Sequence, residues 1–335
     1  MREKTADLDP TTLSKMRRAL LGWYDRHRRE LPWRRDADPY RVWVSEIMLQ
    51  QTRVAAVLEH YAKFMRRFPT VQALAAAREA SVLAAWSGLG YYHRARRMHQ
   101  AARLITRERR GKFPRTAREW RELPGIGRYT AAAIASIAFG EAAAAVDGNA
   151  ERVLRRVFGR LGGREVIWQR AEALLDRKRP GDYNQAMMEL GATLCTPRAP
   201  QCPLCPLNPW CQSRGAEAVR PRAPRQRKTL CYALAAKNGS VLLIQRPADA
   251  SLMAGMWELP SAQQGKRNGS EPVARLRHSI TDTDYDVLVI TVSVDDLENL
   301  EANSRWFSRR QWQRLPLTGL TRKVLRKAVD ESPSD

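Results

Sequence analysis

The chain has 335 residues, 44% hydrophobic, with 58 Lys and Arg against 35 Asp and Glu and a formal net charge of +23. That length exceeds one typical domain and predicts two cores, and the surplus of cations excludes a basic partner in favour of a polyanion, either nucleic acid or an acidic membrane surface. No run of about 18 apolar residues occurs, since even Ala131 to Val146 is interrupted by Gly140 and Glu141, which excludes a helical membrane span.

Residues 1–228 hold 44 Lys and Arg against 22 Asp and Glu, whereas 229–335 hold 14 against 13. The polyanion is therefore expected to meet mainly the first part. Met1 to Pro10 contain Glu3, Asp7 and Asp9 and no apolar core, a pattern unlike a secretory signal or an acidic-poor transit peptide. A cytoplasmic location with reduced thiols is the expectation.

From Thr12 to about Gly191 apolar residues recur at helical spacing, as in Val71-Leu74 and Val82-Leu83-Trp86, and predict an all-helical region. Within it Gly88-Leu89-Gly90-Tyr91-Tyr92-His93-Arg94-Ala95 forms a Gly-aliphatic-Gly turn entering a basic helix, where two tyrosines offer flat faces to stack on bases. A second such turn, Leu123-Pro124-Gly125-Ile126-Gly127, separates helix-like runs at Thr116 to Leu123 and Arg128 to Phe139. Glycines there let backbone N–H groups at a helix start approach a phosphate; an ordinary helix–helix corner has the same look. Asp147-Gly148-Asn149 follows at the start of another helix-like run, where Asp is commonly an N-cap.

Cys195, Cys202, Cys205 and Cys211 crowd one loop with Pro197, Pro200, Pro203 and Pro206 between them. Four thiolates so close predict a metal site, and the spacing alone fits tetrahedral zinc and a four-iron cluster alike. Arg214 to Lys228 reads as a basic linker. Beyond it Leu230 to Ala235, Val241 to Gln245 and Val287 to Val294 are short β-rich runs, with Lys237-Asn238-Gly239 as a turn, implying a small α+β domain. Cys231 reads as a buried strand residue, and Glu331 to Asp335 as a frayed end.

Taken together, Leu31-Pro32-Trp33-Arg34, Pro39 to Thr52, Gly88 to Ala95, Leu123 to Ala131, Val146 to Arg152 and the four-cysteine loop closely resemble the MutY family of adenine DNA glycosylases, in the helix-hairpin-helix superfamily that includes endonuclease III. The resemblance covers about 30–225. It implies an α fold over 1–213, a six-helix barrel with a hairpin at about 116–139 and a loop at 195–211 whose cysteines carry a [4Fe–4S] cluster. A linker at 214–228 and a Nudix-like α+β domain at 229–335 complete the expected architecture. The Nudix-like expectation rests on Val241 to Pro247 and Gly255 to Pro260; no Glu-rich metal-binding helix follows Pro260, so nucleotide hydrolysis is not expected.

Cleaving adenine from deoxyribose requires a protonated leaving base and a stabilised oxocarbenium-like sugar, tasks suited to two carboxyls in different environments. Glu46 stands in the apolar run Val42 to Leu49, where burial raises a carboxyl's pKa, although a helical salt bridge is the common fate of such a Glu. By resemblance Glu46 is the general acid to adenine N7. Asp147 is the carboxylate opposing charge at C1′, through a transient covalent bond on the family's retaining route, and Asn149 positions it. Tyr129 occupies the place of the endonuclease III lysine; lacking an amine it cannot form a Schiff base, which predicts a monofunctional enzyme. The resemblance further assigns Trp33, Arg34 and Leu49 as adenine-pocket walls and Glu189 as a hydrogen-bond partner of the base. Gln51 enters the base stack, Tyr91 or Tyr92 wedges from the other side, and Gly125 and Gly127 grip the DNA backbone. Glu151 stands where relatives often have a cation, which weakens a phosphate contact there.

The implied function is excision of adenine mispaired with 8-oxoguanine or guanine in double-stranded DNA, by a monomer associated with a bacterial nucleoid and no membrane. In the C-terminal domain Ile280-Thr281-Asp282 replaces the Phe-Ser-His of relatives; Thr281 keeps a hydroxyl, and selectivity for the oxidised base is expected to weaken. The alternatives are an endonuclease III-like lyase acting on damaged pyrimidines and an inactive cluster-bearing DNA-binding protein.

Overall fold

Asp9-Pro10 and Asp38-Pro39 each combine a capping carboxylate with a proline suited to the first helical turn. Asp9 accepts from the Thr12 N–H at 3.1 Å and starts α1 (Pro10–His27); Asp38 accepts from the Arg41 N–H at 2.8 Å and starts α2 (Pro39–Leu49). The computed structural model describes residues 9–159, 161–214, 225–250, 252–262, 272–280, 283–293 and 303–330. Further helices follow in order: α3 (Val54–Arg67), α4 (Val71–Ala76), α5 (Glu79–Trp86), α6 (His93–Glu108), α7 (Ala117–Trp120), α8 (Arg128–Phe139), α9 (Gly148–Phe158), α10 (Arg164–Leu174) and α11 (Pro180–Thr193). None is long and apolar enough to cross a membrane.

The chain divides into two units, 1–72 with 100–221 and 73–99 with 222–335. The first is helical. Its core gathers Leu20, Tyr24, Val153, Ile167, Leu174 and Leu190 from α1, α9, α10 and α11. Helix α2 is apolar on nearly every side, with Tyr40, Val42, Trp43, Val44, Ile47 and Met48 buried, the signature of an interior helix. It packs on α8, whose alanines at 131–133 and 135 are buried and keep the two axes close. The hairpin's first arm is shorter than predicted. A capping box between Thr116 and Glu119 starts α7, but the turn to Pro124 and Gly125, at φ 80°, ends it at Trp120.

The second unit holds two sheets. In one, β1 (Gln226–Leu234) runs parallel to β6 (Thr283–Thr291), which pairs antiparallel with β5 (Ala274–Ile280). In the other, β3 (Ser240–Gln245) pairs antiparallel with β2 (Ala236–Lys237), β4 (Trp257–Glu258) and β7 (Ser304–Ser308). After the strands come α12 (Arg309–Trp312) and α13 (Gly319–Asp330), and Leu320, Val324 and Leu325 of α13 join Val241, Leu243, Val287 and Val289 in the core.

Two boundaries differ from the sequence reading. The basic segment expected to be linker through Lys228 already belongs to β1 from Gln226, because backbone pairing to Thr283, Asp284 and Tyr285 needs no apolar alternation. Residues 73–99, read as part of the helical region, group with 222–335; Ser87 and Tyr92 both donate to the Leu317 carbonyl.

Candidate active site and cysteine loop

A cleft of about 880 Å³ opens in the helical unit, lined from α2, α8, α9 and α11. Glu46, on the interior helix α2, reaches it while only 6% exposed. The Tyr129 hydroxyl of α8 donates to Glu46 Oε2 at 2.7 Å, and Met188 Sδ of α11 lies 3.1 Å from the same hydroxyl. Burial pushes the Glu46 carboxyl up to about 7; the Tyr129 hydrogen bond pulls against it, neighbouring Asp147 adds to it, and Arg34 pulls back. At neutral pH Glu46 therefore holds a proton in a substantial fraction of molecules. Burial likewise raises the Tyr129 phenol well above its ordinary value, so it stays protonated.

Asp147 is both the N-cap of α9 and a cleft residue. Its Oδ1 accepts from the Ala150 N–H at 2.7 Å and its Oδ2 from Asn149 Nδ2 at 3.0 Å. Burial raises its pKa, opposed by those hydrogen bonds and by the charge of Arg152. Arg152 sits one turn after Asn149 on the same helix face; its Nη2 donates to Asn149 Oδ1 at 2.9 Å and to the Gly191 carbonyl, and its Nε to the Cys195 carbonyl at 2.8 Å. Gly191 permits this packing, because a Cβ there would lie 2.6 Å from Asn149 Cβ. Arg152 was not singled out from the sequence, although its i, i+3 spacing from Asn149 was visible.

Trp33, Arg34, Leu49 and Gln51 line the cleft. Gln51 is strained, at φ 55°, and exposed. Glu189 differs from its expected role. Arg29 donates to it through the backbone N–H (3.2 Å), Nε (2.6 Å) and Nη2 (2.8 Å), and Arg34 through Nη2 (2.9 Å). Burial pushes this carboxyl up, but the two arginines outweigh it and hold the pKa below the ordinary value. Each oxygen already accepts two hydrogen bonds, so Glu189 has no free acceptor for a base and instead fixes Arg34. Arg29, Gln185 and Arg164 also line the cleft and were missed by sequence reasoning; Gln185 stands one turn before Glu189.

Tyr91 and Tyr92 belong to the second unit. Tyr91 is 37% exposed, but Tyr92 is 5% exposed with its hydroxyl donating to the Leu317 carbonyl at 3.3 Å. Of the two alternatives only Tyr91 presents an exposed ring. Gly125 and Gly127 flank the hairpin turn on the surface. Gly127 caps α8 without a side-chain hydrogen bond, and a Cβ on it would point into open space. Thr281 lies outside the described residues.

Cys195, Cys202, Cys205 and Cys211 line one small cavity beside α9, together with Val153, Arg156 and Val157. Arg156, 4% exposed, donates to Cys195 Sγ at 3.4 Å and to the carbonyls of Thr196 and Pro197; Cys211 Sγ donates to the Arg156 carbonyl at 3.3 Å. Burial pushes the Cys205 thiol up to about 11, and the other three cysteines push the same way. Among the described residues no three His, Cys, Asp or Glu side chains gather closely enough for a single bound ion.

Residues 44–173 match the model of the HhH-GPD superfamily of base excision DNA repair proteins. A thermostable thymine-DNA glycosylase structure superposes over 62% of this chain and all of its own, with TM-score 0.57 and 29% identity. An endonuclease III trapped as a covalent intermediate with DNA shares the fold, with TM-score 0.54 and 23% identity over 62% of this chain and 97% of its own. The human adenine DNA glycosylase is 34% identical over 97% of this chain and 76% of its own length, and the mouse protein 34% identical over 96% and 79%. With identity sustained along nearly its whole length, the chain belongs to the adenine DNA glycosylase family.

Proposed function

We propose that the chain removes adenine from DNA by hydrolysing its N-glycosidic bond, leaving the strand uncut. The observation that carries this reading is the Tyr129 hydroxyl on the buried, partly protonated Glu46 at 2.7 Å, in the cleft that Asp147 also lines. Glu46 donates its proton to adenine N7 as the C1′–N9 bond breaks, and the bonding pair leaves with the base, which departs neutral. Asp147, held by the Ala150 N–H and Asn149, opposes the positive charge at C1′. Water adds to C1′ and its proton returns to Glu46. Trp33, Arg34 and Leu49 wall the slot for the extruded base, with Arg34 fixed by Glu189. Gln51, exposed and strained at the cleft, enters the base stack, and the Gly125 to Gly127 turn accepts a phosphate. No lysine is among the described residues lining the cleft, which supports hydrolysis without strand cleavage.

The cysteine loop fits a [4Fe–4S] cluster. All four cysteines line one cavity, and the family resemblance supports a cluster there over a single zinc ion. Cys195, Cys202, Cys205 and Cys211 would hold the cluster, and Arg156 and Arg152 tie the loop to α9. The substrate is duplex DNA with adenine opposite 8-oxoguanine or guanine, and the Nudix-like second unit reads the opposite base, a reading supported by the resemblance at Val241 to Pro247 and Gly255 to Pro260.

Single-turnover incubation with an 8-oxoguanine:adenine duplex tests the reaction. Free adenine and an alkali-labile but uncut strand are expected. Absence of adenine release overturns the activity, and an efficient borohydride-trapped protein–DNA adduct would replace it with a lyase.

A further inference from the structure

In the second unit the turn that carries Tyr91 has three residues at positive φ, Gly88 (109°), Gly90 (68°) and Tyr91 (48°), of which only Tyr91 is strained. Glycine adopts such angles freely. A tyrosine does so only when its surroundings over-determine the backbone. Trp86 Nε1 donates to the Gly90 carbonyl at 3.1 Å, and Arg94 Nη2 donates to the Leu89 and Gly90 carbonyls at 3.1 and 3.2 Å. The Arg94 guanidinium lies 5.4 Å from the ring centroids of both Trp86 and Tyr91.

A second set of bonds anchors the same turn to the segment entering α13. Ser87 Oγ donates to the Leu317 carbonyl at 2.9 Å and accepts from Arg322 Nε at 2.8 Å. Tyr92 donates to the same carbonyl, and Arg322 Nη2 donates to the Leu315 carbonyl at 3.3 Å. Ser87 and Tyr92 are buried, while Tyr91 between them in the fold stays exposed. Ser87, Tyr92 and Arg94 are buried and Arg322 is half-buried, so the Ser87 and Tyr92 hydroxyls cannot exchange the Leu317 carbonyl for solvent without opening the packing.

We propose that Arg322, acting through Ser87 and the Leu317 carbonyl, is a positioning residue that holds Tyr91 in its exposed, strained pose for contact with duplex DNA. The proposal rests on the reading that Tyr91 meets the duplex, and it makes presentation of this ring a property of the C-terminal unit.

The test is a double-mutant cycle in the full-length protein, measuring affinity for an 8-oxoguanine:adenine duplex by fluorescence anisotropy with Asp147→Asn in every variant to prevent turnover. Arg322→Met and Tyr91→Ala are each expected to weaken binding about tenfold, and the double variant no more than about twofold beyond Tyr91→Ala. Ser87→Ala, a smaller change that leaves α13 intact, should give the same non-additive pattern and serves where Arg322→Met fails to fold. Multiplying losses of about a hundredfold in the double variant, or unchanged binding by both Arg322→Met and Ser87→Ala, would overturn the proposal. Adenine release by the wild type alongside either result leaves the glycosylase reading standing, so the two fail separately.

Discussion

Replacing Glu46 with Gln should make the protein inactive and, above neutral pH, more stable. Glutamine mimics the protonated carboxyl in shape and can still accept from the Tyr129 hydroxyl, but it never bears charge. In the wild type, folding raises this pKa from the ordinary 4.5 to about 7, so the folded state binds more protons than the unfolded one between those values. Stability then falls as pH rises through the window, and above it the buried carboxylate costs about 3 kcal/mol. Because both proteins share every other titrating group, the difference between them reports Glu46 together with its coupling to Asp147. Urea unfolding followed by helical far-UV signal at pH 5 and pH 8.5 should show the Gln variant gaining about 2 to 3 kcal/mol on the wild type over that interval. A difference that does not change with pH would refute the buried-acid argument, and adenine release by the variant at near-wild-type rate would refute its role as proton donor.

Asp147→Asn should abolish cleavage while duplex affinity, read by gel shift, stays within a few-fold; near-normal turnover would remove Asp147 from the chemistry. Arg152→Met deletes the bonds to Asn149, Gly191 and Cys195 and is expected to lower the single-turnover rate about tenfold, as misplacement of a catalytic group does, with little change in duplex affinity. Purified protein should contain iron and inorganic sulfide, and Cys205→Ala should lose both, whereas stoichiometric zinc would exclude the cluster. The replacement of the usual loop by Ile280-Thr281-Asp282 predicts reduced discrimination between 8-oxoguanine:adenine and guanine:adenine duplexes relative to relatives with Phe-Ser-His; equal discrimination in side-by-side rate measurements would refute it.

What the sequence disclosed was local. Asp147 could be read as an N-cap from three consecutive residues and as a stabilising carboxylate only through the family resemblance, and in the structure it caps α9 inside the cleft. The four cysteines declared a shared site by spacing. Features made by distant partners were hidden. The clasp of Glu189 joins residues 155 and 160 positions apart, and no periodicity encodes that encounter. Tyr91 and Tyr92 are adjacent and chemically identical, yet one is exposed and one buried because backbone strain at Tyr91 turns the pair apart. The first residues of β1 are polar and exposed, so their strand character comes from β6 rather than from their own pattern.

Gly191 widens the map of mutations that matter. It bears no functional group and sits mid-core, yet a methyl there would press on Asn149, the residue that steadies Asp147. A conservative-looking alanine would thus displace Asn149 and, through it, disturb Asp147. Tolerance to variation along α11 is set less by what each residue touches in the substrate than by how little space separates that helix from the one beginning at Asp147. For anyone ranking inherited or laboratory variants in such a chain, the hazard lies as much in added volume at a silent position as in the loss of a reactive one.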